Sequence, residues 1–219
     1  MKTLLTYTFV MIVCSALFSQ NYTASPFITM SGDNYDFSVT SPIDYGSQPE
    51  IYITWVNKNN NLYTIYLKKI SPEMGEDVII VQDTFQKSNP CFNYGKLFWE
   101  QFKDGKWQIC FNNFENQSPG TNAVFADSLN IDPQLDLVGH WLTWINDGKL
   151  LVTDLNGSSK GIIIDSLNCS SPDIDPWSGW DWASIVYEKG VPDAKHIYCA
   201  EKKNQTTAWE TEMISNSES

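Results

Sequence analysis

The chain has 219 residues and a net charge of −12, from 26 acidic side chains and 14 basic ones, all of them lysine. An acidic surface without guanidinium groups argues against nucleic acid and anionic lipid as partners, because proteins grip both through phosphates. With 42% hydrophobic and 14% aromatic residues, the composition predicts one or two packed globular domains and not a disordered chain.

The N-terminus has the pattern of a secretory signal peptide. Lys2 precedes an uncharged apolar run over 4–18, and a polar stretch follows. Because the run is too short to favour a spanning helix, we predict a signal peptide over 1–20 and a secreted or periplasmic mature chain without a membrane span. The alternatives are a buried N-terminal helix and a lipid anchor at Cys14, and Val13 stands where a lipoprotein signal resembling this one has a small residue.

A repeat of about 43 residues runs through the rest of the chain. Four prolines are spaced by 41, 43 and 43 residues, and three glycine turns follow their prolines by 15, 15 and 14 residues. An Asn-rich turn at 57–61 replaces the glycine in the first repeat. The prolines are Pro49, Pro90, Pro133 and Pro176, and the glycines are Gly105, Gly148 and Gly190.

Short apolar and aromatic runs flank these turns, which is typical of β-hairpins. Each repeat predicts an antiparallel meander of four strands, with a short first strand after each proline, for instance over 134–138. Second strands are predicted at 51–56, 96–102, 140–145 and 181–187, third strands at 62–67, 107–111, 150–155 and 196–200, and fourth strands at 77–81, 123–126, 161–164 and 207–214.

The order of these features is similar to a known family of repeats. A proline, a short strand, a glycine turn, an aromatic strand, an Asp-Gly turn and a strand with Ile65-Tyr66 or Ile197-Tyr198 together resemble the WD40-like (PD40) repeats of TolB-type β-propellers, over 48–214. The family's Ser-Pro-Asp-Gly-Lys turn is echoed only by residues 93–96. The resemblance implies an all-β propeller that contacts proteins across its face or channel mouth. Its four predicted blades cover 48–89, 90–132, 133–175 and 176–219.

Closure of the propeller has two alternative interpretations. Residues 21–47 are predicted to form an N-terminal segment with one outer strand, from Asp36 to Thr40, which has no partner strands of its own. This lone strand favours a partial propeller that a second copy of the chain completes by self-association. The alternative is an unusually small ring of four or five blades.

One segment departs from the repeat and combines acidic with aromatic side chains. We predict that residues 169–182 form a loop on the same face as the Asp-Gly turns, and that it binds a sugar through indole faces and carboxylates. The same acids are candidate ligands of Ca²⁺. The alternative is a longer loop whose tryptophans pack into the fourth blade. The predicted site residues are Asp173, Asp175, Trp177, Trp180 and Asp181.

Aspartate followed by serine or threonine ends the fourth strand in three successive repeats, at Asp83, Asp127 and Asp165. An acidic ring that binds a cation is one interpretation. We favour a structural one, in which each carboxylate accepts a hydrogen bond from its own turn, because a role that every repeat shares is a role in the scaffold.

The predicted mature chain retains four cysteines, at positions 91, 110, 169 and 199. In an exported protein Cys91, Cys110, Cys169 and Cys199 are candidates for two disulfides, and free, buried thiols are the alternative. Without a CxxC pair or a histidine cluster beside them, the cysteines do not predict a zinc site.

These observations predict a non-catalytic binding or interaction module with a protein or glycan as ligand. Neither His140 nor His196 adjoins a nucleophile in a recognisable motif, and phosphate loops and nucleophile elbows are absent from the sequence. We therefore predict no cofactor and no catalytic residue. The alternative function is a propeller-fold glycosidase or lyase that uses two acids of the 169–182 loop on a carbohydrate.

Overall fold

The computed structural model describes residues 30–40, 50–71, 73–115, 118–156, 161–175, 182–191, 193–204 and 208–215. The predicted signal peptide lies outside these residues. The described residues form strands and turns without a helix, and from Gly32 onward they belong to one compact unit. The all-β prediction is confirmed.

Four antiparallel sheets follow one another along the chain. The first contains β1 (Asp33–Val39), β2 (Ile51–Asn59), β3 (Leu62–Ser71) and β4 (Val78–Asp83). The second contains β5 (Gln86–Asn93), β6 (Lys96–Lys103), β7 (Lys106–Glu115) and an outer edge divided into β8 (Ser118–Pro119) and β9 (Ala123–Leu129). The third contains β10 (Asp136–Val138), β11 (Trp141–Asn146), β12 (Lys149–Asp154) and β13 (Ile162–Asp165). The fourth contains β14 (Cys169–Ile174), β15 (Ala183–Val191), β16 (Ala194–Lys202) and β17 (Glu210–Met213).

The prediction of a lone outer strand at Asp36 to Thr40 is wrong. This segment belongs to β1, which pairs with β2 as the first strand of the first sheet, from Asp33 opposite Lys58 to Val39 opposite Ile53. The first sheet therefore begins at residue 33 and not at 48, and the described residues form four sheets of at least four strands each. The alternation pattern did not reveal the pairing because a β-bulge interrupts β1 between Tyr35 and Ser38.

The prolines recur once per repeat, but their position relative to the first strand differs from sheet to sheet. A first strand follows Pro133 as predicted, whereas Pro90 lies inside β5 and the fourth first strand, β14, ends before the proline at 176. Gly190 also lies inside a strand, paired with Lys195, and the fourth turn falls between Val191 and Ala194. The predicted blade boundaries therefore differ from those of the sheets, which span 33–83, 86–129, 136–165 and 169–213.

Three apolar cores lie between the four sheets. Each core combines buried side chains of two consecutive sheets, and the first strands β1, β5, β10 and β14 contact one another in the same order. Because an apolar sheet face has to be covered, each sheet covers the face of its predecessor. The cores include Val56, Ile65, Phe92 and Trp99 between the first two sheets, Phe98, Ile109, Leu137 and Trp144 between the next two, and Trp141, Val152, Ile185 and Tyr187 between the last two.

Among the described residues, no apolar core joins the fourth sheet to the first. The described structure is accordingly a stack of four sheets, and closure into a ring stays a prediction.

The hairpin turns of the second and third sheets allow a direct test of local geometry. Gly105 and Gly148 have φ angles of +78° and +74°, which glycine adopts without strain. A Cβ at Gly105 would meet nothing within 4 Å, whereas one at Gly148 would lie 3.3 Å from the Asn168 nitrogen. We expect Gly105→Ala to lower the free energy of unfolding by about 1 kcal/mol and Gly148→Ala to lower it by more, measured by urea denaturation. Equal losses would show that the contact with Asn168 contributes nothing.

Candidate functional site

The first strands share a backbone feature that the sequence does not reveal. Each sheet has a non-glycine residue with a φ angle near +50° in its first strand or just before it, and the fourth sheet has a second one, Asn168 (φ 51°), directly before β14. Three of these residues occupy β-bulges, where the extra residue redirects side chains away from the ladder. The four residues are Asp36 (φ 50°), Asn89 (φ 49°), Gln134 (φ 48°) and Ser171 (φ 50°).

Hydrogen bonds connect these residues from one sheet to the next. The Asn89 backbone N–H donates to Asp36 Oδ2 at 3.2 Å, and Asn89 Nδ2 donates to the Leu135 carbonyl at 2.6 Å. The Ser171 N–H in turn donates to Gln134 Oε1 at 2.8 Å. We call Asp36, Asn89, Gln134 and Ser171 the bulge belt. It ties the four sheets together at their first strands, and it ends at Ser171, whose hydroxyl lies 3.4 Å from Glu188 of the same sheet.

Glu100 is a buried carboxyl beside this belt. Its Oε1 accepts hydrogen bonds from the Leu135 N–H at 2.8 Å and from Asn89 Nδ2 at 3.1 Å, and its Oε2 accepts one from Ser88 Oγ at 2.9 Å. Burial, and after it the charge of Asp132, raises the pKa of Glu100 to about 8. The group therefore joins the second sheet to the third as a neutral acid near neutral pH.

A second carboxyl links the third sheet to the fourth. Asp136 Oδ2 accepts a hydrogen bond from the Ile174 N–H at 2.7 Å, and its Oδ1 accepts one from Leu137 N–H at 2.8 Å. Burial raises the pKa of Asp136, and the charge of Asp173 adds to the rise. Asp173, a predicted site residue, thus lies near Asp136 and is itself exposed.

The described part of the predicted 169–182 loop differs from the prediction. Residues 169–174 form the strand β14 and not a loop. The two described ends of the connection that follows, Asp175 and Trp182, lie at the opposite end of the sheet from the turn between β15 and β16 and not beside the Asp-Gly turns. These two ends are adjacent, because the Asp175 N–H donates to the Ser184 carbonyl at 2.9 Å. Trp177, Trp180 and Asp181 lie outside the described residues.

Four of the five tryptophans predicted in second strands are buried, and the fifth is different. Trp182 comes just before β15 and keeps 41% of its surface exposed. It stands next to the Asp175 end of the connection, so an exposed indole and a carboxylate occupy the same end of the fourth sheet. The buried four are Trp55, Trp99, Trp141 and Trp144.

The structural interpretation of the repeated aspartates is confirmed. Asp83 Oδ1 accepts from the Phe85 N–H at 2.8 Å, Asp127 Oδ1 from Ser128 N–H at 2.6 Å, and Asp165 Oδ1 from Ser166 N–H at 2.7 Å. The Asp83 and Asp165 carboxylates thereby hold the turns that end their sheets, whereas the Asp127 carboxylate holds an irregular step inside β9, before its last residue Leu129.

Two of these aspartates also bind lysines of the sheet that follows. Asp83 pairs with Lys87, whose side chain is fully buried, and Asp165 pairs with Lys189 at 2.8 Å. Burial lowers the pKa of Lys87, although Asp83 offsets part of this effect. Burial alone would raise the pKa of Asp165, but Lys189 and the Tyr187 hydroxyl outweigh it and lower the value. Sequence reasoning missed both lysines because neither belongs to a recognised motif.

The two histidines belong to different sheets, the third and the fourth. His140 is buried against the Trp141 ring, with centroids 5.0 Å apart, and its Nε2 lies 3.8 Å from Asp154 Oδ1. His196 lies inside β16, opposite Lys189. Each is packed within its own sheet.

All four cysteines of the predicted mature chain are free and buried, so the two-disulfide alternative is not realised. Burial raises the pKa of the Cys91, Cys110 and Cys169 thiols, that of Cys110 to about 11, which keeps them protonated and unreactive. We expect a chain without residues 1–20 to react slowly with Ellman's reagent when folded and to release four equivalents in denaturant. Fewer than four equivalents in denaturant without reductant would show a disulfide.

Within the described ranges, no group of three or more His, Cys, Asp or Glu side chains is placed to hold a metal ion. The Ca²⁺ prediction depends in part on Asp181, which lies outside those ranges. No helix in the described part of the chain has the length and hydropathy to cross a membrane. No protein-family model matches this sequence, and no curated protein is detectably similar to it.

Proposed function

We propose that this chain is an exported, non-catalytic binding module whose sheets are the blades of a TolB-like β-propeller. The observation that supports the proposal is the serial stacking of four antiparallel sheets, in which first strand follows first strand and the bulge belt connects them. Successive blades of a propeller have this relationship. Such a scaffold presents its connections at two ends, where ligands bind.

The proposed ligand site is the end of the fourth sheet where β14 and β15 are connected. Asp173 and Trp182 are exposed there, and Asp175 adjoins Ser184. We include Trp177, Trp180 and Asp181 from the sequence. Indole faces beside carboxylates suit a glycan, whose hydroxyls donate to the carboxylates, or an exposed segment of a protein.

A glycan array with the mature chain tests this site. We expect Trp182→Ala or Asp175→Ala to lower binding to any glycan retained by the wild type by about tenfold or more, since a stacking platform or an acceptor is lost. Tyr94→Ala, an exposed aromatic residue in a turn of the second sheet, is the matched control and is expected to bind normally. Hydrolysis of a bound glycan that is abolished in Asp175→Ala would replace this proposal with the glycosidase alternative.

Export of the chain and closure of the propeller ring are tested by separate measurements. The secreted product should begin near residue 20, as measured by intact mass. Light scattering after size exclusion then determines whether the mature chain is a monomer. A stable, soluble monomer would contradict the interpretation in which a second copy completes the propeller.

A further inference from the structure

The fourth sheet leaves uncovered a face that the other three sheets bury. Equivalent positions in the second strands can be compared by counting back from the last residue pair before the hairpin turn to the third strand. By this count Val186 is equivalent to Thr54, Phe98 and Trp141 of the first three sheets. The following sheet covers those three side chains, which are 1%, 2% and 4% exposed. Val186 is 39% exposed.

The third strands show the same difference. By the same count, Ile197 is equivalent to Ile65, Ile109 and Val152. Those three side chains are fully buried, whereas Ile197 is only partly buried. The fourth sheet therefore keeps apolar residues at the positions that pack against a following sheet. No described sheet follows it.

Acidic side chains surround these apolar residues. In the strand register Asp173 is opposite Val186, Glu212 is opposite Cys199, and Glu201 is opposite Ser184. Paired residues lie on the same side of a sheet, so these three acids share the face of Val186 and Ile197. We call this surface the open face, formed by Val186, Ile197, Cys199, Asp173, Glu201 and Glu212. On the same side Glu188 is neutralised by Lys195 at 2.6 Å.

We propose that the open face docks a polypeptide segment of a partner protein in which lysines or arginines flank an apolar stripe. The proposal rests on the proposed function as a binding module and names one partner class for it. The apolar centre offers area to bury, and the acidic rim selects a cationic partner and excludes an acidic one.

Charge also argues against a second copy of this chain as the occupant. Two open faces in contact would bring three carboxylates of each copy together, which is repulsive. A head-to-tail copy would have to present the face of its first sheet that points away from the second sheet, but the central side chain there, Trp55, is already fully buried in the single chain.

The experiment uses a synthetic amphipathic helix of about 18 residues in which a leucine stripe is flanked by lysines, and a second peptide with glutamates in place of the lysines. Binding to the mature chain is measured by isothermal titration calorimetry at about 50 mM and about 300 mM NaCl. We expect the lysine peptide to bind, the glutamate peptide to fail, and the affinity to fall at the higher salt concentration.

Variants distinguish binding at the open face from attraction to the overall negative charge of the chain. Glu201→Lys and Glu212→Lys should each weaken binding of the lysine peptide by about tenfold. Glu76→Lys, in the exposed loop between β3 and β4, makes the same change in net charge and should have little effect. Val186→Ser should weaken binding, whereas Val124→Ser, at a valine 51% exposed on β9, should not.

Equal effects of Glu76→Lys and Glu201→Lys, or no binding of the lysine peptide, would overturn the proposal. A dimer that Val186→Ser dissociates would also overturn it, because the occupant would then be a second copy. The glycan array is evaluated separately, because its variants Trp182→Ala and Asp175→Ala change no residue of the open face. If the array retains a ligand while the peptide fails, the open-face proposal fails alone, and if both are negative the proposed function fails as well.

Discussion

Replacing Glu100 by glutamine is expected to remove most of the pH dependence of stability between about pH 5 and pH 8. The folded-state pKa of Glu100 is raised to about 8 from its ordinary 4.5, so its contribution to stability is complete below 4.5 and is lost as the pH rises through 8. The wild type should therefore become less stable over this interval by a few kcal/mol, since each pKa unit corresponds to about 1.4 kcal/mol. Urea denaturation at several pH values measures this loss.

Glutamine imitates the protonated acid at this position. Its carbonyl oxygen can accept from the Leu135 N–H and Asn89 Nδ2, and its amide N–H can donate to Ser88 Oγ or toward Asp132. At pH 8 the variant should be more stable than the wild type, and at pH 5 the two should be similar.

Glu115→Gln, at an exposed carboxyl at the end of β7, is the matched control and should follow the wild-type curve. The carboxyl groups whose pKa is lowered, among them Asp165, affect stability over a different pH interval. Their contribution to stability is present above their ordinary pKa values and is lost only as the pH falls below about 4. Parallel curves for the wild type and Glu100→Gln from pH 5 to 8 would show that Glu100 is ionised in the folded protein.

Replacing Phe98 by alanine is expected to lower the free energy of unfolding by about 3 to 5 kcal/mol. Phe98 is buried between the second and third sheets, with its ring stacked on Phe111 at 5.6 Å and edge-to-face with Phe125 at 5.6 Å. Truncation removes these contacts and leaves a cavity that two neighbouring sheets close only in part. The free energy of unfolding from urea titration is the measurement.

Phe102→Ala provides the same chemical change on the same strand and the same side. Phe102 is 38% exposed, so its truncation should lower the free energy of unfolding by about 1 kcal/mol or less. Similar losses for Phe98→Ala and Phe102→Ala would mean that the second and third sheets do not pack as described.

The second and third strands of the first three sheets were predictable because their signals are local. Turns such as Asp104-Gly105 and Asp147-Gly148 have φ angles near +50° and +75°, which these residues adopt readily, and apolar runs flank them. The first strands were not predictable in the same way. Bulges at Asp36, Asn89 and Ser171 break their alternation, so the sequence predicts an isolated strand where β1 lies and a loop where β14 lies.

The candidate site was predicted only in part. An exposed acid beside an exposed indole at the Asp173 to Trp182 segment could be read from composition. The end of the sheet on which this segment lies could not be read from composition, because that location depends on how many strands precede the segment. The sequence also did not indicate that Glu100 and Lys87 are buried, because a charged residue in a strand is ordinarily solvated and only a neighbouring sheet can bury it.

Local sequence was therefore sufficient for the β class, the period of about 43 residues and the turns, because hairpins form between residues close in the chain. The tertiary structure alone decided that Asp36 to Val39 begins the first sheet, that Glu100 is a buried neutral acid, and that Val186 is exposed where Phe98 is covered. Each of these depends on which sheet lies against which face. That contact joins residues about one repeat apart, and no pattern within a single strand reports it.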